Sequence, residues 1–588
     1  MFAQIITSIM VVMLGQSAPA DLSPAWLKSI PADVDLVVRS RGLESTRGDL
    51  IAMLNAMTPR GAQQAGPALT NLLAQFERQH GAEAVKTPWV SLIRVVAPGP
   101  DGAIPFAVLV MQEDYQKTLK ALAGGRDVAL KPEEGGFDSF DNPHGDGTWY
   151  AVKGAGFVAF GPDKSLIAAV AKPGPKSLDQ TLTPALARSF LAGDLGVFVN
   201  VAQLSTRYAD QIAQGRQALM AGLDQAAQQN AAGASMEAVK KMYGRLFDSI
   251  KDANVLALSL DVAAEGLQVA AQLEAKPDSD LAKSVATQKS GADELGNFPA
   301  DSVFYVSINM DSKDMEAWQS LSLGALSPSG KLSPEMKKAM ESYRTLGRFQ
   351  TSGSVSFGKG MRGFNVVSTS DPKAYIDMTN ELLKSMQGGE NPLNVYKDIK
   401  VEPNAQTYQG LSFAHVVAII DVNKLEKLAG GNQAGGGAAS VKAMFQNGRF
   451  EYWIGSDNQR VFQLMTPDWE QAKAQLETFL KGDRRINTVP GFRAVRSALV
   501  DQANLLMIAN AQGLVRMIAS QFATTLNRPE LKEPAGLPAE PAFLGFSLTP
   551  RQPAGYEFHF TLPSPVVPVI ENGLIPLIQQ AQPARVNQ

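Results

Sequence analysis

Cysteine is missing from all 588 residues. Its absence excludes disulfides, thiolate zinc sites, iron–sulfur clusters, a cysteine nucleophile and a lipid-anchored N-terminal cysteine. Histidine is almost as scarce, limited to His80, His144, His415 and His559. These four are so widely separated that the helical H-E-x-x-H zinc spacing cannot arise. Charged residues make up 19% of the chain and the formal net charge is -3. That is below the usual ~25% and leaves no global field to attract nucleic acid or an anionic membrane. Long apolar runs are missing as well. The run from Ile5 to Gly15 is too short for a bilayer that needs ~20 residues, and the late one is broken by Pro565, Pro568 and Glu571. No internal membrane span is indicated.

What is present begins with a leader-like start. Residues 1–20 place the Ile5–Gly15 run ahead of Ala18-Pro19-Ala20 and then Asp21, the layout of a secretory signal cleaved after Ala20. The first lysine is Lys28, so only the α-amino group charges the leading end. The remaining composition, 45% hydrophobic overall, is that of a globular protein. At ~150 residues per domain the length predicts two to four domains.

The second half of the chain repeats short stretches of the first, in order. Phe106-Ala107 with Leu119 to Gly125 recurs as Phe413-Ala414 with Leu425 to Gly431. Pro162-Asp163 recurs as Pro467-Asp468, and Ala202-Gln203 as Ala511-Gln512. Pro31-Ala32-Asp33 matches Pro299-Ala300-Asp301 at the shorter offset of 268, and Ser259-Leu260 matches Ser547-Leu548 at 288. The offsets predict extra residues in the second copy before Phe413 and in the first copy after Gln203. A period near 300 indicates duplicated domains and not a solenoid, whose repeats run ~20–50 residues. The expected organisation is a signal peptide at 1–20, a first α+β repeat domain at 21–280, a linker at 281–296, a second α+β repeat domain at 297–575 and a polar tail at 576–588.

Each copy is expected to be a mostly antiparallel sheet with helices packed on one face. In the first copy the pattern predicts strands at Val34–Val38, Val90–Val96, Phe106–Met111 and Leu195–Val201, and helices at Glu44–Met57 and Gly66–His80. The run Trp149 to Phe160 is a hairpin around a Gly-containing turn, and Asp163 caps the next helix. Residues from Ser205 to Ala253, with Ile212, Leu219, Met220 and Leu223 at helical spacing, predict a helical hairpin insert. Paired strands close each copy, Leu256–Leu260 with Leu267–Leu273 and Phe543–Leu548 with Tyr556–Leu562.

Candidate chemistry is sparse. His415 and His559 sit within apolar strands, and His80 ends a helix beside Gly81. No G-x-S-x-G elbow marks a serine nucleophile. Gly324 to Leu332 has five residues between its glycines and Leu332 where a phosphate loop needs a hydroxyl. Gly430 to Gly437 follows a helix and reads as its stop. Asp138 to Gly147 has cation-ligand character, but an EF-hand numbered from Asn142 would place Lys153 where glutamate is required. Met220, Met236 and Met242 could line an adaptable apolar surface. No catalytic residue, cofactor-binding residue or metal ligand is therefore assigned.

With its leader, its Pro31-Ala32-Asp33 entry into a strand and its lack of cysteine, the chain resembles large exported bacterial proteins. Those are known only as a domain of unknown function, found in planctomycete-like bacteria. The resemblance is one of layout and implies export, to the periplasm, the cell surface or the medium. The expected function is non-enzymatic binding of a protein partner or a hydrophobic ligand, in or near a cleft between the copies. The alternatives are an exported hydrolase whose Ser, Asp and His meet only in the fold, and a structural cell-surface protein. Limited proteolysis should cut first between Lys276 and Asn297, and a first cut deep within either half would contradict the two-domain organisation.

Overall fold

The computed structural model describes residues 24–57, 86–95, 105–143, 145–229, 247–288, 293–311, 347–358, 360–385, 396–421, 448–525, 536–552 and 554–581, with isolated positions between these runs. Helices and extensive antiparallel sheet make it an α+β protein. Its residues gather into two compact units. The first draws on the chain up to Asp210, Ile250–Ala286 and Arg551–Pro565; the second on Gln211–Ser249, Thr287–Pro550 and the chain from Val566 onward.

The first unit contains β1 (Leu36–Ser40), β2 (Trp89–Ile93), β3 (Phe106–Val110), β4 (Lys131–Glu133), β5 (Phe137–Asp141), β6 (Thr148–Lys153) and β7 (Val158–Gly161). It continues with β8 (Leu195–Val199), β9 (Ala253–Ala263) and β10 (Gly266–Ala275), and adds β20 (Gly555–Pro563). Their antiparallel pairing gives the order β4-β5-β6-β7-β3-β2-β1-β8-β9-β10-β20. Alternation drives it: in β9 Ala253, Val255, Ala257 and Ser259 are buried at every second position.

Helices cover both faces of this sheet, which corrects the expectation of one covered face. Leu109 and Ala159 point to a core shared with Leu166, Ile167 and Val170 of the helix Lys164–Ala171. Val110 and Val158, one position along, point to another shared with Leu119 and Leu122 of the helix Tyr115–Leu122. Strand β7 is buried at all four positions, and such a strand needs cover on both sides. Asp163 caps its helix as expected, accepting from the Leu166 N–H at 2.9 Å. The helix Tyr115–Leu122 ends with Gly124 and Gly125 at φ 65° and 86°, and the Gly125 N–H donates to the Lys120 carbonyl at 2.8 Å. Helices Val201–Arg207 and Ala209–Gln229 follow β8.

The second unit contains β11 (Phe304–Asp311), β12 (Arg348–Gly358), β13 (Gly360–Thr369), β14 (Tyr396–Tyr408), β15 (Leu411–Ile420), β16 (Arg449–Ser456), β17 (Arg460–Met465), β18 (Leu505–Asn510) and β19 (Phe543–Arg551). They pair antiparallel in the order β14-β15-β16-β17-β13-β12-β11-β18-β19. Strand for strand, this is the order that runs from β4 to β9 in the first unit. The helix Trp469–Lys481 packs on one face through Ala472, Leu476 and Phe479, and Pro372–Ser385 on the other through Tyr375 and Met378.

Individual backbone bonds recur as well. Pro31 bridges Ser177, and Pro299 bridges Arg485. The Asn200 N–H donates to the Asp35 carbonyl at 2.9 Å, and the Asn510 N–H to the Val303 carbonyl at 2.8 Å. The matched Phe106 and Phe413, however, hold different places. Phe106 opens β3, whereas Phe413 lies in β15, between β14 and β16, where the first unit has β5. That match fails because an apolar strand running into an amphipathic helix is a generic pattern. Leu425 to Gly431 lie outside the described residues, as do residues 1–20 and most of the expected helix Gly66–His80.

Asp194, just before β8, joins three segments of the first unit. Its N–H donates to the Leu260 carbonyl at 2.8 Å and its carbonyl accepts from the Arg41 N–H at 3.1 Å. Its fully buried carboxylate accepts from the Val262 N–H at 2.8 Å and lies 3.2 Å from the Arg41 guanidinium. Burial pushes this carboxyl up to about 7, against the Val262 hydrogen bond and Arg41. In the second unit Asn504 makes the same backbone bonds, to the Leu548 carbonyl at 3.0 Å and from the Asn309 N–H at 2.8 Å.

Two predictions follow from this geometry. A folded-state value above the ordinary carboxylate range means that the folded protein binds the proton more tightly than the unfolded chain. Stability from this group is therefore greatest at low pH and falls between about pH 4 and about pH 7. Asp194→Asn should flatten that fall, read as denaturation midpoints at about pH 4.5 and about pH 7.5; an unchanged slope would assign it to other groups. A single cut within residues 288–292 should give two fragments on a denaturing gel that co-elute under native conditions. The C-terminal fragment carries β20, which pairs with β10 from Gly266 to Glu274; separate elution would contradict this.

Candidate functional site

Polar residues at every second position of β10 and β20 fall on one face of the first unit's sheet. The register sets Gln272 opposite Glu557, Ala270 opposite His559 and Gln268 opposite Thr561. Gln272, Glu274 and Glu557 floor a cleft of about 1030 Å³, the upper end of the size common for small-molecule sites. One wall is the helix Pro184–Leu191, which presents Pro184, Ala185 and Arg188. The other is the helix Asp280–Thr287, with Ala282, Lys283 and Ala286. Arg551, Gln552, Ala554 and Gly555 close one side, where the Gln552 side-chain N–H donates to the Val285 carbonyl at 3.2 Å.

The two carboxylates of the floor are in opposite environments. Glu557 accepts from His559 Nε2 at 2.8 Å and pairs with the Arg551 guanidinium. The His559 hydrogen bond, with Arg551 adding to it, pulls this carboxyl down to about 2 despite burial. Glu274 has no cation partner among the described residues; burial raises its carboxyl, and the hydrogen bond from the Thr183 hydroxyl opposes that shift. Thr183 also caps the wall helix, its oxygen accepting from the Leu186 N–H at 3.3 Å.

Gln272 stands apart from both. Its side chain is only 5% exposed, yet among the described residues it makes no hydrogen bond, and it lines the cleft. Asn254, on neighbouring β9, lines the cleft in the same unpaired condition. At the mouth, Arg188 has no ion-pair partner among the described residues, and Lys283 meets Asp280 in an exposed pair at 3.4 Å.

The residues weighed from the sequence lie elsewhere, apart from His559, which supports this floor from beneath Glu557. His415 lies flat on the Trp453 ring, centroids 3.9 Å apart, with Nε2 2.9 Å from the Glu451 carboxylate. Among the described residues, neither histidine is hydrogen-bonded to a serine. Asp138 accepts from the Tyr115 hydroxyl at 2.7 Å, and the Asn142 N–H donates to the Gly147 carbonyl at 2.9 Å between β5 and β6. Among the described residues no cluster of three or more His, Asp or Glu could hold a metal. Met220 is half-buried in Ala209–Gln229. His80, His144, Met236, Met242, Gly324 to Leu332 and Gly430 to Gly437 lie outside the described residues. No described helix is long and apolar enough to cross a membrane.

Comparison with family models, with curated proteins and with solved structures finds no match. Thr183→Val should move the Glu274 titration further up, because it removes the hydrogen bond that favours the carboxylate. Carbon-detected NMR titration reads this directly, and a downward move would contradict the assigned cause.

Proposed function

We propose that this chain is an exported, non-enzymatic binding protein built from two related α+β domains, and that it takes a polar ligand on the floor formed by Gln272, Glu274 and Glu557. The observation that carries the binding reading is Gln272. Its carboxamide opens onto the cleft without a side-chain hydrogen bond among the described residues, so a ligand can meet both its donor and its acceptor. The floor carries carboxylates and a carboxamide while much of the lining is apolar, so the cleft suits a ligand with both hydrogen-bonding groups and apolar surface.

Four of the five sequence matches support duplication, since they fall at corresponding places in the two strand orders: β1 with β11, β7 with β17, β8 with β18 and β9 with β19. The recurring bonds of Asn200 and Asn510 and of Asp194 and Asn504 add to it. A helical hairpin insert is supported by the pairs Arg216–Asp248 and Asp224–Lys240, whose crossed spacing is that of antiparallel helices. Export rests on residues 1–20 and would give a mature chain beginning at Asp21.

Native mass spectrometry of gently purified full-length protein tests the binding reading. The expected result is a small-molecule adduct that disappears in Gln272→Leu, while thermal unfolding shows the variant folded. A parent without adduct, or an adduct indifferent to Gln272→Leu, would overturn it.

A further inference from the structure

Resting on that reading, we infer that the ligand of this cleft is a short peptide with both termini free, laid along the helix Pro184–Leu191 with its ammonium end toward Glu274 and its carboxylate end toward Arg188. Three observations converge on this class. First, Gln272 and Asn254 each offer an unpaired carboxamide, which carries an N–H donor and a C=O acceptor in one plane. A peptide unit carries the complementary pair.

Second, the charges along the helix are polarised. Thr183, at its start, holds the Glu274 carboxylate, which no cation among the described residues neutralises. Arg188, five residues further on and therefore ~7–8 Å along the axis, has no ion-pair partner among the described residues. Glu557 is already satisfied by Arg551 and His559, so it presents little free charge. A ligand with an ammonium at one end and a carboxylate at the other matches this order; at ~3.3–3.6 Å per extended residue, two or three residues span it.

Third, among the described residues no aromatic ring lines the cleft, so they offer a sugar face nothing to stack on, whereas Ala185, Ala275, Ala282 and Ala554 leave room for main chain and small side chains.

The test is isothermal titration of the full chain with trialanine, with N-acetyl-trialanine amide and with maltotriose. Trialanine should bind, and blocking its termini should weaken it at least about tenfold, ~1.4 kcal/mol. Arg188→Ala, an exposed change, should weaken trialanine similarly but leave the blocked peptide unaffected, and Gln272→Leu should abolish both while thermal unfolding shows the variant folded. Failure of trialanine to bind, equal affinity for the blocked peptide, or preference for maltotriose would overturn the peptide assignment. If an adduct sensitive to Gln272→Leu persists in native mass spectra while trialanine fails, the ligand class alone falls; if the adduct is absent too, the cleft loses its binding role.

Discussion

The outer edge of β10 is the constraint on which the first unit depends. Its backbone N–H and C=O groups need partners, since an open edge both loses hydrogen bonds and invites pairing with other chains. The chain satisfies them with β20, drawn from nearly 280 residues further along, in a register from Gly266–Pro563 to Glu274–Gly555. Both ends of this ladder need glycine. A Cβ on Gly266 would lie 2.3 Å from the Leu562 carbonyl oxygen, and one on Gly555 would lie 2.4 Å from that of Leu273. Such close approach is open only to a residue without a side chain.

The same pairing makes the cleft. Without β20 there is no Glu557 beside Gln272 and no Gly555 to close the side. The floor then gains its character from unequal hydrogen bonding. Glu557 is fully occupied by two cationic or hydrogen-bonding neighbours, Glu274 is held by a single hydroxyl, and Gln272 by nothing. Gln272 is therefore the carboxamide on this floor left for a ligand to pair.

Much of the architecture was legible in the sequence because local rules agreed with the final packing. The alternation of β9 and β10, the glycine-centred hairpin of Trp149 to Phe160 and the cap at Asp163 all form as their residues dictate. The repeats at Pro31, Pro162 and Ala202 sit at strand entries and helix starts, where geometry restricts residue choice; the misleading one, at Phe106, sits in a plain apolar strand where it does not. The cleft was not legible. Its residues come from positions 183, 272 and 557, and only the β10–β20 register brings them together. The polar residues Gln268, Gln272 and Glu274 in one strand and Glu557, His559 and Thr561 in the other were the available signal, but alternation states that a face is largely polar without stating what it faces.

The distance in sequence between β10 and β20 also fixes an order of events. A chain being synthesised at ~5–20 residues per second makes Ala275 some 15–60 s before Pro563. Throughout that interval the edge of β10 is complete but unpaired, and pairing so remote in sequence is slow once it becomes possible. The first half of this molecule is thus the earliest to be made and among the last to be finished, which places the greatest demand on whatever shields nascent strands in the cell.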